Sequence, residues 1–155
     1  MIVWRPWEQE AAGIEVLEFD GREARGTMIR MRDDGPLRID YSVSVDAEWH
    51  ARKFTAQSRG REVSLDLNGD VDLWACAFTN TLPIRRMNWA DVIETTMPYV
   101  TGDLRVEEAT QRYTRIDART YRFESMTSGF SANIIFDEEG LVVDYEKVVR
   151  RVWPR

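Results

Sequence analysis

The chain has 155 residues, 43% of them hydrophobic and 31% charged, which fits a single domain over residues 1–155 with a core of its own. A net charge of −6 and a pI of about 4.9 exclude a nucleic-acid partner, which needs a basic face to displace counterions. Cys76 is the only cysteine, so there is no disulfide framework and no paired-cysteine metal site, and nothing implies a cofactor. Of 21 basic residues all but Lys53 and Lys147 are arginine, the residue suited to planar, bidentate pairing with carboxylate or phosphate. The start, Met1-Ile2-Val3-Trp4-Arg5-Pro6-Trp7-Glu8, lacks the basic stretch and apolar core of a signal peptide. No run approaches the roughly 18 apolar residues of a membrane span. The expectation is a cytoplasmic protein that does not cross a membrane.

Period-2 alternation dominates the chain. A strand over 25–32 is followed by the turn Asp33-Asp34-Gly35-Pro36 and a strand over 37–46, in which Leu37, Ile39, Tyr41, Val43 and Val45 face one side and polar residues the other. Val63, Leu65 and Leu67 repeat the pattern, Asn68-Gly69 reads as a two-residue turn, and Val71 and Leu73 return, so residues 61–75 are expected to form a hairpin. The stretch Phe78-Thr79-Asn80-Thr81-Leu82-Pro83 breaks the alternation, which Ile84-Arg85-Arg86-Met87 then resumes. Residues 89–99 could make a helical turn or two, with Pro98 and the β-branched Val92, Ile93, Thr95 and Thr96 arguing against more. Strands follow at 121–125, 130–136 and 141–145, the last two joined by Asp137-Glu138-Glu139-Gly140. Many short strands with closely spaced turns predict a mainly β domain. Its antiparallel sheet is strongly curved, as a half-barrel, barrel or β-roll, with few or no long helices.

No complete catalytic constellation is present. His50, the only histidine, starts a strand without a nucleophile elbow, and Cys76 sits among apolar neighbours as a small core residue does. Asp66-Leu67-Asn68-Gly69-Asp70-Val71-Asp72 crowds oxygens, but its glycine falls one place early for a calcium loop and no glutamate closes it. Glu124 and Asp144 lie on strands, which does not bring them together as an acid/base pair. The aromatic residues, 11% of the chain, supply either ordinary sheet core or the wall of an apolar cavity inside a curved sheet. On a strand Arg85 and Arg86 would point to opposite faces. One turned inward would need a carboxylate such as Asp72, Glu124 or Asp144.

Several segments together resemble the bacterial family described as "Putative glycolipid-binding". They run in order from Trp4 and Gly13-Ile14-Glu15 through Tyr41, Asp46 and Trp49 to Asp70-Val71-Asp72-Leu73. Phe78-Thr79-Asn80-Thr81-Leu82-Pro83-Ile84-Arg85-Arg86 and Gln111-Arg112-Tyr113-Thr114 are the specific strings. Tyr121-Arg122-Phe123-Glu124-Ser125, Gly129-Phe130, Gly140-Leu141-Val142-Val143-Asp144-Tyr145 and Arg150-Arg151-Val152 complete the set. One departure is Tyr145-Glu146-Lys147, where the family more often reads Tyr-Pro-Gly. The resemblance implies a curved β fold related in shape to bacterial lipoprotein carriers, and assigns no catalytic or binding residue. The function expected is non-catalytic binding of a glycolipid or other lipid-like ligand. Asn80, Arg85, Arg86, Gln111, Arg112 and Tyr113 are expected to contact its polar head, while Asp72, Glu124 and Asp144 form a structural network. The alternatives are a structural or interaction protein, a homodimer being compatible with it, and a small hydrolase or isomerase using a carboxylate pair.

Overall fold

The computed structural model describes residues 1–155. Thirteen strands form one sheet: β1 (Ile2–Pro6), β2 (Gly13–Phe19), β3 (Glu23–Arg32), β4 (Gly35–Val45), β5 (Ala51–Ser58), β6 (Arg61–Gly69), β7 (Asp72–Leu73), β8 (Val92–Val100), β9 (Val106–Arg115), β10 (Thr120–Ser125), β11 (Ser131–Phe136), β12 (Val142–Tyr145) and β13 (Val149–Trp153). The spatial order is β6-β5-β4-β3-β2-β1-β13-β12-β11-β10-β9-β8-β7. Two antiparallel meanders are thus joined where the first strand pairs with the last. All contacts are antiparallel except β7 with β8, and the sheet is not closed.

The predicted hairpin over 61–75 is the main correction. β6 and β7 lie at opposite edges of the sheet. The alternation of Val63, Leu65, Leu67, Val71 and Leu73 is real, but it reports which face a residue takes and not which strand lies beside it. Only Asp70 and Val71 separate the two strands. Three Cα steps span at most ~11 Å, so the two edges of the sheet approach each other and the sheet curls into a trough.

The second correction concerns residues 78–87. A 3₁₀ turn at Phe78–Asn80 runs into helix α1 (Thr81–Arg86), and no strand resumes at Ile84. Pro83 lies in the first turn of α1, where its missing N–H costs nothing. Arg85 and Arg86 occupy the last turn, where cations are favoured. Asn88 and Trp89 then leave the helix in left-handed conformations, at φ 49° and 59°. Leu82 and Ile84 mimic a strand two residues apart, but both are buried because the segment fills the concave side of the sheet.

Conversely, residues 92–99, expected as part of a helical turn or two, lie in β8, as their β-branched content favours. β7 covers β8 only at Tyr99 and Val100, so Pro98 lies in a strand that is an edge for most of its length.

The turn expected at 33–36 is shorter, at Asp33-Asp34, with Gly35 and Pro36 already paired in β4, and the turn at 137–140 forms as predicted. At Tyr145-Glu146-Lys147, where the chain departs from the family's Tyr-Pro-Gly, it still turns from β12 into β13, with Lys147 in the left-handed conformation (φ 68°) that a glycine would adopt more easily. The core lies on the concave face, with Trp4, Leu17, Met28, Ile39 and Phe54 from one meander and Tyr113, Tyr121, Ile134 and Phe136 from the other, around Phe78 and Leu82. No helix is long and apolar enough to cross a membrane.

Candidate functional site

Where the concave face is not filled by α1, it leaves a cavity of about 480 Å³. Strand alternation builds its wall. Ala109 and Gln111 are inward positions of β9, and Gln111 lies opposite Ser125 of β10. Tyr99 of β8 lies opposite Glu107 on one side and Asp72 of β7 on the other. Leu73, Trp74, Phe123, Phe130 and Val148 supply apolar surface, while Asp72, Tyr99, Gln111, Tyr145 and Arg30 supply polar groups. Glu107, Glu108 and Lys147 also line it. The turn at Lys147 sets its ammonium 5.7 Å from the centre of the Phe130 ring.

Asp72 is the charged centre of this cavity. Its carboxylate accepts hydrogen bonds from the Thr79 hydroxyl at 2.8 Å and the Gln111 amide at 2.6 Å. Behind them the Tyr113 hydroxyl donates to Asn80 Oδ1 at 2.9 Å, and Asn80 Nδ2 donates to the Cys76 carbonyl at 3.1 Å. Burial pushes the Asp72 carboxyl up to about 6, against the pull of the Thr79 and Gln111 hydrogen bonds. Burial, and then the Asp72 charge, push the Tyr99 phenol up to about 12 and raise Tyr113 and Tyr145 well above the ordinary phenol value. These phenols therefore remain hydrogen-bond donors at neutral pH.

A second buried carboxylate lies close behind the cavity. Glu15 of β2 is fully buried. It accepts from the Tyr41 hydroxyl at 2.8 Å, the Ala77 N–H at 3.0 Å and the Cys76 thiol at 3.3 Å, and forms an ion pair with Arg30 at 3.3 Å. The Tyr41 ring reaches Glu15 by crossing Gly26, where a Cβ would meet it at 2.3 Å. Glu15 and Arg30 were not singled out from sequence for any site. The signal was present: Glu15 shares its alternation with Leu17, and Arg30 with Ala24 and Met28, so both charges occupy core-facing positions.

The sequence family whose description reads "Putative glycolipid-binding" matches residues 1–70 and 64–151. The chain belongs to this family. The crystal structure of a DUF1089 family protein from Pseudomonas aeruginosa has the same fold, with a TM-score of 0.79 and 30% identity over 94% of this chain and 95% of that one. No curated protein matches the chain.

In this member of the glycolipid-binding family, three of the six residues expected at a head group come together. Gln111 faces the cavity, with Tyr113 and Asn80 hydrogen-bonded in the layer behind it. The three arginines lie elsewhere. Arg85 stacks on Trp49, 4.5 Å from its ring centre, and donates to the Glu139 carbonyl. Arg86 pairs with Asp70 at 2.7 Å, and Asp70 also accepts from Thr95. Arg112 pairs with exposed Glu94 at 2.8 Å on the convex face.

The expected structural network is therefore redrawn. Asp72 joins Gln111 and Thr79, and the carboxylate that holds Arg86 is Asp70. Glu124 lies on the convex face opposite Arg112. Asp144 binds Arg150 at 2.6 Å and the Trp7 indole at 2.9 Å. His50 lies 3.5 Å from Asp46, outside the cavity, and Cys76 is buried against Glu15.

Proposed function

We propose that this protein is a non-catalytic binder of a glycolipid or other lipid-like molecule, held in the concave cavity between β7–β10 and β12. The observation that carries the reading is the cavity itself. Its volume of about 480 Å³ falls in the ~300–1,000 Å³ range of ligand sites. It combines a mostly apolar wall with a few convergent polar groups, as such sites do. Burying a 16-carbon chain would yield about 13 kcal/mol gross at ~0.8 kcal/mol per CH₂. Association costs on the order of 4–15 kcal/mol. The tail alone is close to neutral, so contacts at Asp72, Gln111 and the neighbouring phenols would set affinity and choice of head group.

Native mass spectrometry and solvent extraction of the purified protein should reveal a bound amphiphile. The variant Ala109→Trp, which fills the cavity from its wall, should lose it while keeping its fold. An empty wild-type protein, or a ligand retained in Ala109→Trp, overturns the reading.

A second reading is supported by Asp72 alone. A carboxyl raised to about 6 and facing a cavity is suited to general acid/base work in a small hydrolase or isomerase. The other carboxylates of the lining, Glu107 and Glu108, make no hydrogen bond to it, so a carboxylate dyad is not assembled. Chemical turnover of an extracted ligand that stops in Asp72→Asn would favour this reading over simple binding.

A further inference from the structure

Several carboxylates that are buried or half-buried in this molecule hold an arginine. Glu15 pairs with Arg30 at 3.3 Å, Asp70 with Arg86 at 2.7 Å, Asp137 with Arg151 at 2.7 Å, and Asp144 with Arg150 at 2.6 Å. Asp72 differs. Its partners, Thr79 and Gln111, are neutral, and it forms no ion pair with any basic side chain. An inward carboxylate without a counter-charge is costly to keep, and here it faces the cavity rather than the core.

The rest of the lining sharpens what could supply that charge. Glu107 and Glu108 add negative charge, Arg30 is balanced by Glu15, and the Lys147 ammonium donates to the Ser131 carbonyl at 3.1 Å. An anionic head would meet three carboxylates against a single cation without a carboxylate partner, Lys147. The rings of Trp74, Tyr99, Phe123, Phe130 and Tyr145 surround the same space, and the faces of such rings attract cations. Arg30 lines the cavity too, and its buried Nε–H has no acceptor in the protein.

We infer that the head group this cavity accepts carries a protonated amine, paired with Asp72 among these rings. An amino-sugar or amino-alcohol amphiphile meets this requirement. The inference rests on the lipid-binding reading above and narrows it to one chemical class.

Titration calorimetry with amphiphiles of equal tail and different head tests it: dodecylammonium, dodecyl maltoside and dodecyl phosphate, each below its micelle concentration at pH 7.5. Dodecylammonium should bind most tightly and dodecyl phosphate least. Asp72→Asn should weaken dodecylammonium by roughly 10- to 100-fold and leave dodecyl maltoside within about threefold. Glu94→Gln, which removes a carboxylate from the convex face, should leave the order of preference unchanged, which separates a paired amine from general attraction to an acidic protein. Equal binding of the three amphiphiles, a preference for the phosphate, or an Asp72→Asn variant that keeps the ammonium preference overturns the inference and leaves lipid binding standing. Failure of all three to bind overturns lipid binding as well. The wild-type order of preference decides the matter even if Asp72→Asn folds poorly.

Discussion

Two inward carboxylates, one buried and one half-buried, meet opposite fates in this protein. Glu15 is enclosed: a guanidinium, a phenol, a thiol and a backbone N–H converge on it, and no part of it is exposed. Asp72 is open: it holds two neutral partners, faces a cavity and resists ionisation until about pH 6. A carboxylate whose partners are complete stabilises the structure that holds it. One whose partners are incomplete destabilises the empty protein and has attraction left for something else. The difference marks Glu15 as part of the scaffold and Asp72 as part of the site.

The largest effect should come from breaking the enclosed side. Arg30→Met leaves Glu15 buried beside an aliphatic chain and should destabilise the protein by ~3–5 kcal/mol, read as a lower urea midpoint with an unchanged slope. A loss below about 1 kcal/mol would place Glu15 and Arg30 outside the scaffold role.

Asp72→Asn should act in the opposite direction. The folded carboxyl titrates near 6 and the unfolded one at about 3.9. Between these values the folded state binds more protons than the unfolded state. Stability from this group is therefore present at low pH, falls as pH rises through the window, and levels off above it. At pH 7.5 the asparagine variant should be more stable than wild type by at most on the order of 3 kcal/mol. The gap should close as pH falls toward 4. Measuring wild type and variant together cancels carboxylates shifted the other way, such as Asp40 and Asp46. A gap that does not change with pH contradicts the assignment.

Gly26→Ala sharpens the comparison without touching a charge. Its Cβ would meet the Tyr41 ring at 2.3 Å, so the phenol must move away from Glu15, at a cost of ~1–3 kcal/mol in thermal unfolding. Ligand binding at Asp72 should be nearly unchanged. The smallest effect belongs to Arg112→Ala on the convex face. Its pair with Glu94 is exposed, and its loss should change stability by less than about 1 kcal/mol and leave binding as it was.

How far these regions could be read from sequence depends on the kind of information each requires. The inward positions of the strands are visible as alternation, and that includes the anomalous charges at Glu15 and Arg30. Gln111, Tyr113 and Asn80 stood out as polar side chains in apolar surroundings, and they do meet. Arg85, Arg86 and Arg112 stood out equally and lie elsewhere, because each finds a local partner: Trp49, Asp70 and Glu94. Residue type alone does not separate an arginine with a partner from one awaiting a ligand.

The face each strand presents, the mainly β architecture and the family are determined by the amino-acid sequence itself. Side-chain period and turn chemistry are local properties, and the FTNTLPIRR and QRYT strings are specific. Only the tertiary structure decided that β6 and β7 part to opposite edges, that residues 78–86 coil into the trough, and that Asp72 meets Gln111 across 39 residues of chain. Alternation is indifferent to which strand lies alongside. Whether a carboxylate is enclosed or open depends on that choice of neighbours.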